Sequence, residues 1–459
     1  MRDNFRPARL SKNFKYIIDC DNNKIKFNDP RVVHVYASMT NDYLVPMFNE
    51  IIKRRGWNSE PGYRITSEIM EFAKTICSGR ECLSYAIVSG CICKHMAESL
   101  QKDKIYVYYM VDQEGPCQIG AWPATWDTFI KRKNLTNVVI SGHPRLYNNY
   151  LGQGLSFGSE NMICVIISDL LDQAKNVLKC LAVDKELALK TFETETESVI
   201  KSAAKGIVPV IHSFRKWAHN ISKIPLKASV EETPKVCIFG GGVLSLMHQQ
   251  LCDYFCNEGI IPKVVDFSEW IIYVESEAML RLSFKKGYMG IEKKYRIIPY
   301  FMAFLNPRNN FKELYLGVSS RITGITQLNM QKYFLRIARK SGLIYDSFVS
   351  FFDMIREGNK YVPYDAFCEA IVTIGRYLCS LKAGIFDGYV HAAVFNCQPS
   401  IDAQAILKSL SIRSDAPFIS LDFENHVLTS YHMRLLEAVA VKAKYGRQVR
   451  NNSGAERVS

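Results

Sequence analysis

Three of the fourteen cysteines stand in turns rather than in apolar or helical runs: Cys82, Cys117 and Cys397. Cys397 lies between a β-prone run and a helix start, and Cys82 lies beside the first turn of the helix read over 85–99. Cys117 is delivered by a strand into the turn EGPCQIG at 114–120. Unpaired amides at a helix N-terminus stabilise a thiolate, or anything anionic bonded to it, and open α/β sheets bind ligands where strands end. Thiolates in that setting hold iron-sulfur clusters, whose ligands can come from distant segments that reach one edge of a fold. Three thiolates on a four-iron cluster leave one iron open to water, hydroxide or substrate. Taken singly, each residue reads as well as a small buried hydrophobe. The shared setting is what points to a shared metal group.

Other residues compete for chemistry. Cys77 shares the turn of Cys82. Cys91 and Cys93 are about 200° apart on their helix and face different ways. Cys164, Cys180, Cys237, Cys252, Cys256, Cys368 and Cys379 sit in apolar or helical patterns and read as packing residues. Gly240-Gly241-Gly242 follows a strand and precedes a helix, which invites a dinucleotide-binding reading with Asp266 further on, but Ser245 stands where the third glycine belongs. A tight turn is the plainer account. His143, His391 and His426 show no metal-ligand spacing; His426 falls near the end of the last strand, and His391 reads as a core histidine.

The elements that must position the cysteines alternate along the chain. Strands are predicted over 31–37, 104–111, 137–141, 235–239, 261–267, 388–395 and 418–423, from β-branched and aromatic content. Helices are predicted over 43–54, 65–76, 85–99, 243–258, 364–383 and 431–444. Long helical stretches cover 161–217, with a break at the acidic, Thr-rich 193–197, and 275–357. This order predicts an α/β protein with two Rossmann-like doubly wound domains, helical insertions and the cluster site between them. The boundaries are a basic extension over 1–30, a first domain over 31–227, a linker at 228–234, a second domain over 235–444 and a flexible tail over 445–459. Both ends read as mobile or docking tails.

At 459 residues and 48% hydrophobic content, the chain has apolar material for two or three cores. The net charge of +13 suits nucleic acid, an acidic protein or a phosphorylated ligand such as a coenzyme A ester. Its basic residues are scattered, so nucleic acid is not expected. No membrane-spanning run and no secretory leader is read, and fourteen cysteines without a leader predict reduced thiols in the cytoplasm.

The runs GRECLS at Cys82, EGPCQIG at Cys117, NNYLGQGL at 148–155, SEW at 268–270, FNCQPS at Cys397, DAPFISLDFE at 415–424 and RLLEA at 434–438 resemble the 2-hydroxyacyl-CoA dehydratase and benzoyl-CoA reductase superfamily. The likeness is nearest to the dehydratase-like part of acyl-CoA dehydratase activase-related proteins, and it spans about 31–444. It implies an iron-sulfur cluster, [4Fe-4S] or a double cubane, on Cys82, Cys117 and Cys397. It also implies a low-potential electron from an ATP-hydrolysing iron-sulfur activator, a homo- or heterodimer with a related subunit, and reductive or radical dehydration of an acyl-CoA or small substrate. Such a chain would act as a lyase or reductase component. Many relatives carry a further Cys-Pro after the first strand, where this chain has Met39-Thr40, and Ser400 replaces the usual glycine of the last motif. A non-catalytic scaffold that kept the fold and lost the cluster is the alternative. Basic residues over 285–296 permit an acyl-CoA ligand without identifying one.

Overall fold

Short β-branched strands alternate with amphipathic helices through most of the chain, and a computed structural model assembles them into two parallel sheets flanked by helices. It describes residues 5–36, 42–110, 116–142, 150–241, 248–285, 307–363, 366 and 368–455; the side chains of 110, 277–321 and 453–455 are not among those described. Met39, Gly115, His143, Gly242 and the basic stretch 286–296 lie outside these residues.

The basic leader is not a tail over residues 9–25. Strands β1 (Arg9–Leu10), β2 (Ile17–Ile18) and β3 (Lys24–Ile25) form a small antiparallel sheet. Ile17 and Ile25 bury against the main core, and the amide of Ala8 donates to the carbonyl of Thr136 at 2.8 Å. The alternation of basic and apolar residues lets the charges face water while the isoleucines anchor the segment.

The first large sheet contains β4 (Val32–Tyr36), β5 (Asn58–Pro61), β6 (Ile105–Met110) and β7 (Val138–Gly142), in the spatial order β5-β4-β6-β7. Helices α1 (Leu44–Arg54), α2 (Ser67–Lys74), α3 (Leu83–Glu98) and α4 (Trp122–Lys133) connect its strands. Three helices follow: α5 (Gly154–Leu181), α6 (Lys185–Ser202) and α7 (Ile207–Ile221). The second sheet contains β8 (Lys235–Phe239), β9 (Ile261–Val264), β10 (Gly388–Val394) and β11 (Phe418–Phe423), in the order β11-β10-β8-β9. Around it lie α8 (His248–Asn257), α9 (Phe267–Lys285), α10 (Pro307–Ala338), α11 (Phe351–Gly358), α12 (Ala370–Ala383), α13 (Gln398–Ser411) and α14 (Ser430–Ala455). Every pairing within the two large sheets is parallel. In each sheet the second strand adds to one side of the first and the third strand to the other. The order therefore reverses between β4 and β6 and again between β8 and β10, and the loops at such a reversal frame a crevice.

Residues 193–197 do not break a helix. They lie inside α6, which Asp184 caps by accepting the Leu187 amide at 2.9 Å. Phe192, Thr196 and Val199 are buried, which leaves Glu193 and Glu197 on the exposed face. The C-terminal tail reading is corrected over 445–455, because α14 runs on to Ala455. Arg447 holds it to the second sheet through Asp387, whose side chain is fully buried, at 2.8 Å. One helix, Gly154–Leu181, is long and apolar enough to cross a membrane, and most of that stretch is buried inside the protein.

Candidate functional site

Cys82, Cys117 and Cys397 occupy the same kind of position: each precedes the first residue of a helical segment and has extended backbone. Cys82 precedes α3. Cys117 precedes a 3-10 turn, Gln118–Ala121, that runs into α4. Cys397 precedes α13, where Pro399 fits the first turn because its missing N–H is one that a helix start cannot use. Cys117 follows β6 and Cys397 follows β10, the third strand of each sheet in chain order. Cys397 lies hundreds of positions from the other two, and hydrogen bonds bring its loop back to theirs.

Backbone and amide hydrogen bonds join the three loops. The Leu83 amide donates to the Phe395 carbonyl at 3.1 Å. Gln118 links all three, since its Oε1 accepts from the Cys82 amide at 2.8 Å and its Nε2 donates to the Asn396 carbonyl at 3.2 Å. Asn396 takes a left-handed φ of 54°, a conformation asparagine tolerates better than most residues, and its side-chain amide donates to the Arg80 carbonyl. Each half of the chain thus fixes the backbone of the other at the cysteines.

The sulfurs act on one another. Burial pushes the Cys82 thiol up to about 12, and the nearby Cys397 and Glu369 push in the same direction. Burial followed by Glu369 raises Cys117 further, and the same two causes raise Cys397. Helix starts oppose this. None of the sulfurs closes a regular capping bond, but the amides of Tyr85 and Ser84 favour the Cys82 thiolate, that of Ile119 favours Cys117, and the Ser400 hydroxyl and amide favour Cys397. Beside those amides, the charged neighbours that act on the three are each other's thiols and the Glu369 carboxyl, with Asp402 acting on Cys397, and all raise the thiols.

Glu369 is the residue that sequence reasoning missed. It immediately precedes α12, its carboxyl accepts from the Trp270 indole N–H at 3.1 Å, and its Oε1 lies 4.0 Å from the Cys117 sulfur. Burial raises its pKa, with the Trp270 bond opposing. Nothing in the run Phe367-Cys368-Glu369-Ala370 distinguishes this glutamate from an ordinary helix-start carboxylate. Gln118 and Trp270 were within quoted motifs, but their roles depend on contacts more than 90 positions away. A cavity of about 60 Å³ borders Glu369, lined also by Gly241, Trp270, Val372, Thr373 and Arg376 among others. Gly241 separates it from Cys397, for a methyl group there would sit 3.7 Å from the Cys397 sulfur and 3.4 Å from the Ser400 hydroxyl.

The competing candidates fall elsewhere or do other work. Cys91 and Cys93 are buried within α3, and Cys77 lines a separate groove with Met70, Leu83 and Phe395. Ser84 contributes its amide beside Cys82, and Asn396 contributes its carbonyl to the Gln118 link. His391 is a core residue on β10 that bonds the Ser420 hydroxyl at 2.9 Å, and His426 is half-buried beside Ser67. Asp266 pairs with Lys263. Among the described residues, no three His, Cys, Asp or Glu side chains are grouped to hold a metal ion. Three thiols are a soft donor set of the kind that binds zinc or an iron-sulfur cluster. Neither a protein-family model nor a curated protein matches the chain.

Proposed function

We propose that this chain is an iron-sulfur protein of the 2-hydroxyacyl-CoA dehydratase type, with Cys82, Cys117 and Cys397 as ligands and its two parallel sheets as Rossmann-like domains either side of the cluster. One observation carries the reading: three cysteines from three remote segments precede helices at one edge of the fold and interact electrostatically there. The bound cluster supplies one-electron chemistry at low potential. The chain's own residues bury the sulfurs, point helix amides at them and, through Gln118, hold the three loops in one geometry. Hydrogen bonds to the sulfurs and burial are the two means by which the protein sets the potential. An ATP-hydrolysing iron-sulfur activator would be the electron donor, a related subunit the dimer partner, an acyl-CoA or small molecule the substrate and the cytoplasm the location.

Protein purified and reconstituted without oxygen should hold roughly four iron and four acid-labile sulfide per chain and be brown. Its reduced form should give an electron paramagnetic resonance signal. Cys82→Ser, Cys117→Ser and Cys397→Ser should each lose most of the iron. A second reading, a scaffold that kept the fold and lost the cluster, draws on the carboxyl of Glu369 among the thiols, since a buried acid needs no metal to coexist with neutral thiols. Colourless, iron-free wild type after reconstitution selects the scaffold.

A further inference from the structure

Glu369 stands where a fourth ligand is wanted. Its carboxyl oxygen is 4.0 Å from the Cys117 sulfur, and the same carboxyl acts electrostatically on Cys82 and Cys397, so it faces the space the three sulfurs share. The side chain comes from the start of α12, an element independent of the three cysteine loops. The same oxygen, Oε1, also accepts the Trp270 indole N–H at 3.1 Å.

We propose, resting on the cluster reading above, that Glu369 is the fourth ligand: a carboxylate oxygen bound to the iron that the three cysteines leave open. Met39, where a further cysteine would otherwise enter from the loop after β4, then needs no replacement from the first half of the chain. The fourth donor comes from the second half instead. Trp270 acts as a positioning residue, because its indole N–H holds Oε1, the oxygen that faces Cys117. An oxygen donor also differs from a thiolate in consequence. It donates less electron density, so the cluster's potential lies above that of an all-cysteine cluster, as it does when imidazole replaces thiolate. It also exchanges more readily, which would make this iron the accessible one.

Anaerobically reconstituted wild type, Glu369→Gln and Glu369→Cys are compared by iron content, electron paramagnetic resonance and redox titration. In Glu369→Gln the signal of the reduced cluster should change shape, and mild oxidation should strip the fourth iron, giving a three-iron signal, roughly tenfold faster than in wild type. Glu369→Cys should retain four irons and titrate at a lower potential than wild type. If wild type and both variants give the same spectra, stripping rates and potentials, Glu369 is not a ligand while the cluster itself stands. If wild type binds no iron, the cluster reading and this inference fall together. Should Glu369→Gln fold poorly, Glu369→Cys decides alone: an unchanged potential in a four-iron variant overturns the assignment.

Discussion

At the scale of single residues, Gln118 holds more of the site together than any cysteine's own neighbours do. Its amide satisfies both the Cys82 N–H and the Asn396 carbonyl, two groups that belong to opposite halves of the chain. In Gln118→Ala both are left to find other partners, and an unmade bond at a buried group costs about 1–3 kcal/mol. Chemical denaturation should show a loss in that range, and reconstituted iron should fall with it. Full iron retention at unchanged stability would show that the loops hold their places without the bridge. Three buried histidines, His34, His95 and His391, contribute on the acid side, and two of them illustrate it. His34 stacks on Trp57 and bonds the Tyr109 hydroxyl at 2.7 Å and the Phe27 carbonyl at 3.0 Å, so its Nε2 carries the proton and donates while Nδ1 accepts. Burial lowers both His34 and His391 to about 4. Above the ordinary value of 6.5 each is neutral in the folded and unfolded chain and pH has no leverage through them. Below 6.5 the unfolded chain takes up a proton that the native state refuses, so stability is present above 6.5 and is lost as pH falls toward 4. Between pH 6.5 and 5 each should cost about 2 kcal/mol, and His391→Asn should remove its share of that slope in denaturation curves. An unchanged slope would mean that the folded protein accepts the proton.

Among the elements, α12 carries the most consequence for the site, because it places both Glu369 and Arg376. It crosses α11 with the backbones in contact: a methyl group on Gly375 would sit 1.9 Å from the Met354 carbonyl oxygen, and one on Gly358 would sit 2.0 Å from that of Ile371. Neither neighbour is a flexible side chain that can swing away, so the helices must separate. Gly375→Ala should therefore destabilise by about 3 kcal/mol or more and move Glu369 off the sulfurs. The matching readout is a denaturation midpoint together with iron content, and a mild loss with normal iron would show that α12 can shift without carrying its first turn along. The strands were legible in sequence for a local reason. Val32–Tyr36, Ile105–Met110, Gly388–Val394 and Phe418–Phe423 are runs of β-branched, aromatic or small residues bounded by turn formers. Asn58–Pro61 was not legible, since Asn, Ser, Glu and Pro have no strand preference and earn none by burial at a sheet edge. The 193–197 segment misled because composition hides which face of a helix a residue occupies.

On the scale of the whole molecule the two sheets share one plan, and that plan explains why part of the site could be read and part could not. Cys117 and Cys397 repeat a local signature, a strand followed by a turn and a helix, so each half announces its own cysteine. Glu369 and Gln118 act only through contacts that cross between elements, and no window of sequence contains both ends of those contacts. The same plan has a dynamic consequence. At the cysteines the seam between the halves is joined by the Leu83 to Phe395 bond, the Gln118 bridge, the Asn396 to Arg80 bond and the Cys117 to Glu369 contact, beside an apolar cluster that Leu83 and Ile87 share with Val390 and Val394. A cluster bound by Cys82 and Cys117 from one half and Cys397 from the other would add covalent ligation across that seam. A group that binds only the folded arrangement stabilises it by mass action. Removing the cluster with a chelator under oxidising conditions should then speed amide hydrogen exchange at 82–86, 117–121 and 396–401, where the seam's amides lie. The centre of α5, packed far from the cysteine loops in sequence and buried over most of its length, should keep its protection. Uniformly faster exchange over both regions would make the cluster a determinant of global folding, and unchanged exchange at the seam would place the iron somewhere other than between the halves.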